Sequence, residues 1–579
     1  VVGGGGAEAE LLKRRTRTGV AAARALVGGA ALAAAGAWTV GDAPPGAGSA
    51  RPRLVVFVSV DQMHSDYLSR FAPLFEGGLK RFNEEGAVFT NAYYRHSNSE
   101  TGPGHSVLLS GRHARDTGIV ANEWYDRLQG AEVNVVDDPA SEALPGPGRG
   151  ASPAHFIGPT LGDLLKRVSP DSRVVGVAMK DRSAILMSGP RAEAAYWYEA
   201  ESGSFGSSTY YMRELPAWLR DWNREGHIDA LAGRMWTRLL PDEGPYLRFA
   251  GPDDVRGEWD NKDTVFPHKI RGAAKSKLFY DELRRGPFID ELTLDVALLA
   301  MKAHDLGTDE STDILAVGMS ATDVVGHTYG PDSQEVMDQL LRLDRLLGRL
   351  LEAAEARAGT GRVLFGLSAD HGSMPLVEVL KTKGVDARRV SPSQITNAVK
   401  RALAARFPEA GELVKMVDAP NFHLDTEAVA RQGLSLAAVQ AAAKEALLAT
   451  GVIRKVYTPV ELLGDPPKDD PDFPLLRNSF FESRSPQVIA TVKPYVYVSS
   501  RVGGTGHGTV HGYDRHVPVA FLGAGIAAGR HEGACGPHDI APTLAALLGV
   551  EYRVEEGQRV LKEAFAHGAG ASVAAGGRR

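Results

Sequence analysis

Asp61, Lys180, Asp323, Asp370 and His371 each stand just after an apolar run that reads as a β-strand. In open α/β sheets the reacting groups gather outside the carboxyl ends of strands. A single Asp in such a place is ordinarily a turn residue or a helix cap. Five polar groups after four such runs form a pattern. Asp323 and His327 are four residues apart, which puts both on one side of a helical turn, as a shared metal requires. Asp370 and His371 are adjacent, and His507 lies in the Gly-rich stretch GGTGHGTVHGYDRH, where the backbone can approach closely. These six residues offer three carboxylates and three imidazoles. Zn²⁺ takes such oxygen and nitrogen donors, and Mn²⁺ or Co²⁺ can occupy the same set. Two such ions about 3.5–4 Å apart suit an in-line displacement at phosphorus, one beside the nucleophile and one beside the leaving oxygen.

Thr101, in SNSETGPGHSVLLSG, stands between a loop and a helix start. On its own it reads as an N-cap. Beside a metal, the same hydroxyl at a helix N-terminus has what a nucleophile needs. Lys180 and Arg182, in MKDRS, lie two apart and point the same way if the segment is extended. They read either as a solvated basic edge or as a clamp on phosphate oxygens, Arg bidentate and Lys a point charge.

The elements that must position these groups alternate in type. Strands are expected at 54–60, 88–93, 174–179, 314–319, 363–367 and 517–522. The run LVVFVSV, rich in Val and apolar throughout, is typical of a strand buried on both faces. Helices are expected at 65–85, 101–109, 291–304, 332–358 and 538–548, and Asp323 is expected in a polar turn. This alternation implies an α/β fold, with a mostly parallel central sheet and helices on both faces. Two stretches break the rhythm, about 190–287, rich in Trp, Tyr, Ser and Gly, and about 376–500. Both are expected as insertions that cap the sheet edge. No internal repeat is visible.

The length, 579 residues, allows roughly three to five average domains, though large α/β enzymes often form one unit. With 43% hydrophobic and 23% charged residues the chain is neither disordered nor a multi-span membrane protein. Its net charge of -6 supplies no basic field for nucleic acid. Cys535 is the single cysteine, so neither an intrachain disulfide nor a cysteine-based zinc site can form. Lys13, Arg14, Arg15 and Arg17 precede an Ala-rich apolar run, and small residues at Ala35 and Ala37 offer a cleavage site. Residues 1–52 therefore read as a secretory signal and linker, 53–567 as the catalytic domain and 568–579 as a disordered tail. An uncleaved anchor is the alternative, but the run is shorter than the ~20 apolar residues of a span. Export to the periplasm or the outside fits a chain with one Cys.

The stretches LVVFVSVDQMHSDYL, ETGPGHSVLLSG, ANEWYDR, MKDRS, SATDVVGHTYGPDS, SADHGSM, HGTVHGYDRHVPVAFLGAG and HDIAPTLAALLG resemble the alkaline phosphatase superfamily, in order, from about 54 to 549. More narrowly they resemble its threonine-nucleophile, PafA-type alkaline phosphatases, which are close to the type I phosphodiesterases and nucleotide pyrophosphatases. The resemblance implies an exported phosphomonoesterase with two Zn²⁺, an alkaline optimum and a covalent phosphothreonine at Thr101. It implies one zinc on Asp323, His327 and His507, and another on Asp61, Asp370 and His371 that also touches the Thr101 oxygen. Asn122 matches a donor to a phosphate oxygen, and Lys180 and Arg182 match the pair that meets the phosphoryl group.

Added cations favour a monoester, which carries more charge on its non-bridging oxygens than a diester. A phosphodiesterase or nucleotide pyrophosphatase on the same scaffold is the alternative. A sulfatase is disfavoured, since Cys535 lies far from the nucleophile motif. Within that motif Ser97 and Ser99 compete with Thr101, which is chosen by its spacing to Gly104 and His105. His507 is preferred to His511 because it stands seven before Asp514, as in the family. His105 is read as a helix packing residue and Asp539 as a cap of the last helix. The expected partner is a phosphorylated small molecule, with no nucleic-acid signature and no membrane span once the signal is removed. Oligomeric state is not legible.

Overall fold

The computed structural model describes residues 51–566, except 128, 147, 260 and 261. The expected signal and linker at 1–52, all but its last two residues, and the expected tail at 568–579 lie outside the described residues. Leu54–Val60 is an inner strand of the sheet, and all seven of its residues are buried. It pairs in parallel with Asp313–Met319 on one side and Val363–Ser368 on the other. Val174–Ala178 and then Ala194–Glu199 extend the parallel block. Burying a Val, Leu or Phe side chain contributes about 1.5–3 kcal/mol. A strand covered on both faces is therefore held by every position rather than by alternate ones.

On both flanks of this block the next pairing is antiparallel. Val519–Gly523 pairs against Val363–Ser368, and Ser204–Ser208 against Ala194–Glu199. Among the described residues the full sheet has eleven strands. It is thus mixed, with a parallel centre, and helices flank it. The stretch expected as a cap from about 190 opens as sheet, because Ala194–Glu199 carries five buried residues that complete the parallel block.

Register explains where the chemistry falls. Val60 sits opposite Met319, Ser59 opposite Ser368, and Gly318 opposite Ala178. Four neighbouring strands therefore end at one edge, and the residues that follow them are Asp61, Asp323, Asp370 and Lys180. The Gln334–Ala358 helix covers the sheet with Leu340, Leu343, Leu347 and Leu350, all buried. Its Asp344 carboxylate accepts from the backbone N–H groups of Glu76, Gly77 and Leu79 at 2.6–2.8 Å, which ties in the N-terminus of the Gly78–Glu85 helix. A side chain on Gly77 would lie 2.3 Å from the Asp344 carbonyl oxygen, so the two helices can approach only at glycine.

Three local expectations change. The single helix at 65–85 is broken into Tyr67–Arg70, a 3₁₀ turn at Ala72–Leu74, and Gly78–Glu85. Pro73 has no N–H to continue the first helix, and Gly77 and Gly78 disfavour it. The strand at 88–93 is Ala87–Phe89 followed by isolated bridges at Ala92 and Tyr93. Asp323 lies within a helix, Ala321–Tyr329, rather than in a turn.

Residues 376–500 hold a hydrophobic cluster of their own. Helices Pro392–Arg406 and Leu436–Ala449 pack Ile395, Val399, Leu403, Val439 and Leu447 with Phe422 and Val488.

Candidate active site

Thr101 is the first residue of the Thr101–Leu108 helix and is buried. The helix meets the Asp370 loop so closely that a Cβ on Gly104 would lie 2.3 Å from the Asp370 carbonyl oxygen. Asn122 Oδ1 accepts from Gly102 N at 2.8 Å, and Asn122 N donates to Glu100 Oε2 at 2.8 Å. This exchange fixes the Asn122 amide beside the start of the helix and leaves Nδ2 as its donor end.

Lys180 reaches the middle of the cluster. Its Nζ lies 2.7 Å from Asp323 Oδ2, 3.0 Å from Asp61 Oδ2 and 3.3 Å from Thr101 Oγ1. Burial pushes its pKa down, but Asp323 and Asp61 outweigh that and hold it above the ordinary lysine value. Asp323 in turn is held well below the usual carboxylate range; burial pushes it up, and Lys180 and His327 overcome that. Arg182 behaves differently. It is the second residue of the Asp181–Ser188 helix, not part of an extended segment, because Asp181 starts that helix. Its Nη1 is 3.7 Å from Asp181 Oδ1, and its buried Nε has no partner.

The imidazoles share one device. His327 Nδ1 donates to Thr505 O at 2.7 Å, His371 Nδ1 to Gly372 O at 2.9 Å, and His507 Nδ1 to Ser99 O at 2.7 Å. His105 Nδ1 does the same to Thr101 O at 2.9 Å. A nitrogen that donates to a carbonyl carries the proton, so in each neutral ring Nε2 keeps its lone pair. These nitrogens converge with the carboxylates. His327 Nε2 lies 3.3 Å from Asp323 Oδ1 and 3.2 Å from His507 Nε2. His371 Nε2 lies 3.2 Å from Asp370 Oδ2, and its ring stacks on His507 at 3.5 Å. His105 Nε2 lies 3.2 Å from Asp61 Oδ1.

Two groups of three donors are close enough to hold an ion: Asp323, His371 and His507, and Asp61, His105 and Asp370. Several of their buried atoms have no hydrogen-bond partner, namely both Asp61 oxygens, Asp370 Oδ2, His371 Nε2 and His105 Nε2. Lys180 pairs with Asp61 and Asp323, but one ammonium among the carboxylates of Asp61, Asp323 and Asp370 leaves buried negative charge that calls for further cations. Burial pushes His371 down, yet Asp370 and Asp323 draw it up to about 9. The donor set of carboxylate oxygen and imidazole nitrogen fits divalent metal ions of the zinc type, which would take the place of the proton that the carboxylates hold on His371.

All seven residues proposed as ligands thus come together, counting Thr101, and Lys180 and Asn122 join them. Arg182 makes no hydrogen bond or ion pair to the cluster among the described residues. His105, metal-capable by type but expected to pack on the helix, stands with Asp61 and Asp370 in the second group of donors. The signal was present, since His105 is four after Thr101 and shares its helix face. His511 points elsewhere, with Nε2 against Val492 O at 3.0 Å. Asp539 Oδ2 accepts from Gly536 N at 3.0 Å, so it closes the 3₁₀ turn Pro537–Asp539 rather than the Ile540–Leu548 helix.

A cavity of about 270 Å³ opens beside the cluster, lined by Asn98, Glu100, Trp124, His423, Tyr497 and His507 among others. His423 and Tyr497 belong to the 376–500 stretch, which therefore helps to shape it.

Comparison with known proteins agrees with this geometry. Residues 55–514 match the family model of type I phosphodiesterase / nucleotide pyrophosphatase. A protein of Myroides odoratus named calcium-transporting ATPase is 31% identical over 87% of this chain and 92% of its own length. Alkaline phosphatase PafA of Elizabethkingia meningoseptica is 30% identical over 87% of this chain and 92% of its own. The 1.7 Å crystal structure of wild-type alkaline phosphatase PafA superposes with a TM-score of 0.82 and 29% identity, covering 91% of this chain and all of that one. The chain belongs to the alkaline phosphatase superfamily, as a PafA-like member related to the type I phosphodiesterase / nucleotide pyrophosphatase family.

Proposed function

We propose that this metal-dependent hydrolase of the alkaline phosphatase class cleaves phosphate monoesters outside the cytoplasm, through a covalent phosphothreonine at Thr101 and with two zinc ions. The observation that carries the reading is the placing of Lys180 Nζ against Thr101 Oγ1 within a ring of carboxylates and lone-pair-bearing imidazoles. The zinc sets follow the family, with Asp323, His327 and His507 for one and Asp61, Asp370 and His371 for the other. His105 stands beside the second. Zinc bound there supplies Lewis acidity, which lowers the pKa of a nearby hydroxyl and neutralises developing charge.

The chain's own groups do the rest. Thr101 Oγ1, its proton released to solvent, attacks phosphorus; the new P–O bond forms as the ester P–O bond breaks, and the bonding pair leaves with the alkoxide, which takes a proton from water. Water then attacks the phosphothreonine from the vacated side, releasing phosphate and restoring the hydroxyl. Lys180 is positioned to exchange its carboxylate contacts for a non-bridging phosphoryl oxygen, and Asn122 Nδ2 offers a neutral donor to another. Loss of one such donor typically lowers the rate by about 10²–10³. Arg182, which faces Asp181 in this structure, would add planar donors if it turned to the same group.

Export rests on the basic and Ala-rich leader, which lies outside the described residues. No helix among the described residues is long and apolar enough to cross a membrane. The diesterase reading keeps one observation in its favour, the family model's own description. One experiment separates the two. With zinc-loaded protein, kcat/KM is compared for p-nitrophenyl phosphate and bis-p-nitrophenyl phosphate, in wild type and in Lys180→Ala/Arg182→Ala. Monoester preference that collapses in the variant is expected. Diester preference indifferent to the variant would place the protein with the phosphodiesterases and leave the cations structural.

A further inference from the structure

The chain turns as it leaves the strand that ends at Val60, and Met63 N closes that turn on Val60 O at 3.2 Å. Gln62 takes the third place of the turn with φ 64, in the left-handed region that turns usually give to Gly or Asn. Among the described residues, four other non-glycine residues have a positive φ: Lys275, Asp305, Asp469 and Tyr495. All four are exposed or half-buried, whereas Gln62 is 2% exposed. A strained conformation in the interior persists only where its surroundings fix it, and such residues gather at functional sites.

What fixes Gln62 is a carboxylate from each group of metal donors. Its backbone N donates to Asp370 Oδ1 at 3.0 Å, and its side-chain Nε2 donates to Asp323 Oδ1 at 2.9 Å and Asp323 O at 3.3 Å. His371 N also donates to Asp370 Oδ1, at 3.0 Å, so Oδ2 is the oxygen left to face His371 Nε2 and His105 Nδ1. Asp323 is gripped at both ends. Lys180 takes Oδ2, and Gln62 takes Oδ1, the oxygen 3.3 Å from His327 Nε2 and 3.6 Å from His507 Nε2. A carboxylate oxygen has about two lone-pair sites, so Oδ1 can accept the amide and still meet a cation. Gly326 makes the room. A Cβ on Gly326 would lie 1.9 Å from Gln62 Oε1. A glycine inside the Ala321–Tyr329 helix is otherwise unfavourable, and here it lets the amide reach Asp323.

We propose that Gln62 is a positioning residue for the metal centre. It fixes which oxygen of Asp323 and which oxygen of Asp370 is presented, and so ties both groups of donors to one turn. The proposal rests on the reading of Asp323 and Asp370 as metal ligands. Gln62 acts through those carboxylates and not on the reacting atoms. Its amide matters most when Lys180 turns from Asp323 to the phosphoryl group, because Asp323 then keeps a donor that does not leave.

The test measures zinc affinity of the full-length protein by competition with a chromogenic chelator, together with kcat and the Tm of the metal-free protein. Gln62→Met fills the same space without a donor. Its zinc affinity is expected to fall about 10–100-fold, the range for groups that orient metal ligands, and kcat to fall with it. Gln62→Gly also removes the amide but relieves the backbone. Without metal it should therefore melt higher than Gln62→Ala, which keeps a side chain at positive φ. Gly326→Ala displaces the same amide from the other side and should lower zinc affinity by a similar factor. Added to Gln62→Gly it should change little, because residues that act through one contact are not additive. Wild type that binds no zinc overturns the ligand reading and this proposal with it. Wild type that binds zinc while Gln62→Met binds it as tightly overturns this proposal alone, and a lower metal-free Tm would then make Gln62 a structural residue. Additive losses from Gly326→Ala and Gln62→Gly overturn it as well.

Discussion

Two sets of buried histidines stand in this molecule, and they differ in what holds their rings. His105, His327, His371 and His507 each give Nδ1 to a backbone carbonyl and turn Nε2 toward carboxylates. His96, His113 and His538 pack on one another, with ring centroids 6.2 Å and 5.3 Å apart. Neither nitrogen of His96 has a partner, nor has Nδ1 of His113. Residue type is the same in both sets, and burial does not separate them, since His105 and His371 are as buried as His96 while His327 is partly exposed. The carbonyl lock separates them, because it decides the tautomer, aims the lone pair and makes the ring a ligand rather than filler.

The comparison is broken most severely by removing a locked ring. His327→Ala is expected to lower kcat/KM for phosphate monoesters by on the order of 10³ or more, since it takes away a ligand beside the reacting centre. Metal content, read by elemental analysis, should fall from about two ions per chain toward one. Chelation of the wild type should abolish turnover, and added zinc should restore it.

His105→Ala sharpens the boundary. If its Nε2 serves the metal centre, metal affinity drops about 10–100-fold, the range for groups that support or adjoin a metal site. A variant with unchanged metal affinity and only a lower Tm would return His105 to packing and discredit the carbonyl lock as a criterion.

The other set should respond to acid rather than to metal. Burial, then Arg515 and His538, push the His96 pKa from 6.5 down to about 3. The folded state thus binds the proton less readily than the unfolded state. The associated stability is full above pH 6.5 and is lost as pH falls toward 3. At pH 5 the loss is about 2 kcal/mol for this one residue. His96→Phe keeps the stacking on Tyr94 and removes the titration. Its urea midpoint should therefore hold up better than that of wild type between pH 7 and pH 5, with kcat unchanged. A wild-type acid slope retained in full would show that His96 is not the group responsible.

The smallest effect is expected at His511, whose Nε2 donates to Val492 O away from the cluster. His511→Ala should leave kcat/KM as it is and cost about 1 kcal/mol of stability, the net worth of one hydrogen bond.

Much of this was legible in the chain itself. The Val-rich run at 54–60, the polar residues that follow each such run, and the four-residue spacing of Asp323 and His327 reflect local periodicity and the approach of neighbouring atoms. The motif order carried the family and, with it, Thr101 and Asn122. The misplacements have a common cause. Arg182 left the extended segment because Asp181 starts a helix. His105 looked like filler because its carboxylate neighbours are 44 and 265 residues away in the chain. Ala194–Glu199 looked like cap because its place in the sheet depends on its pairing with Val174–Ala178.

By itself, then, the sequence determined the strands, the polar residues at their ends and the chemical type of the donors, since side-chain periodicity and chirality act over a few residues. Tertiary structure decided that His105 stands among Asp61 and Asp370 and that Lys180 rather than Arg182 reaches Thr101. Those outcomes depend on sheet register and on close approach between segments hundreds of residues apart, which no local pattern encodes.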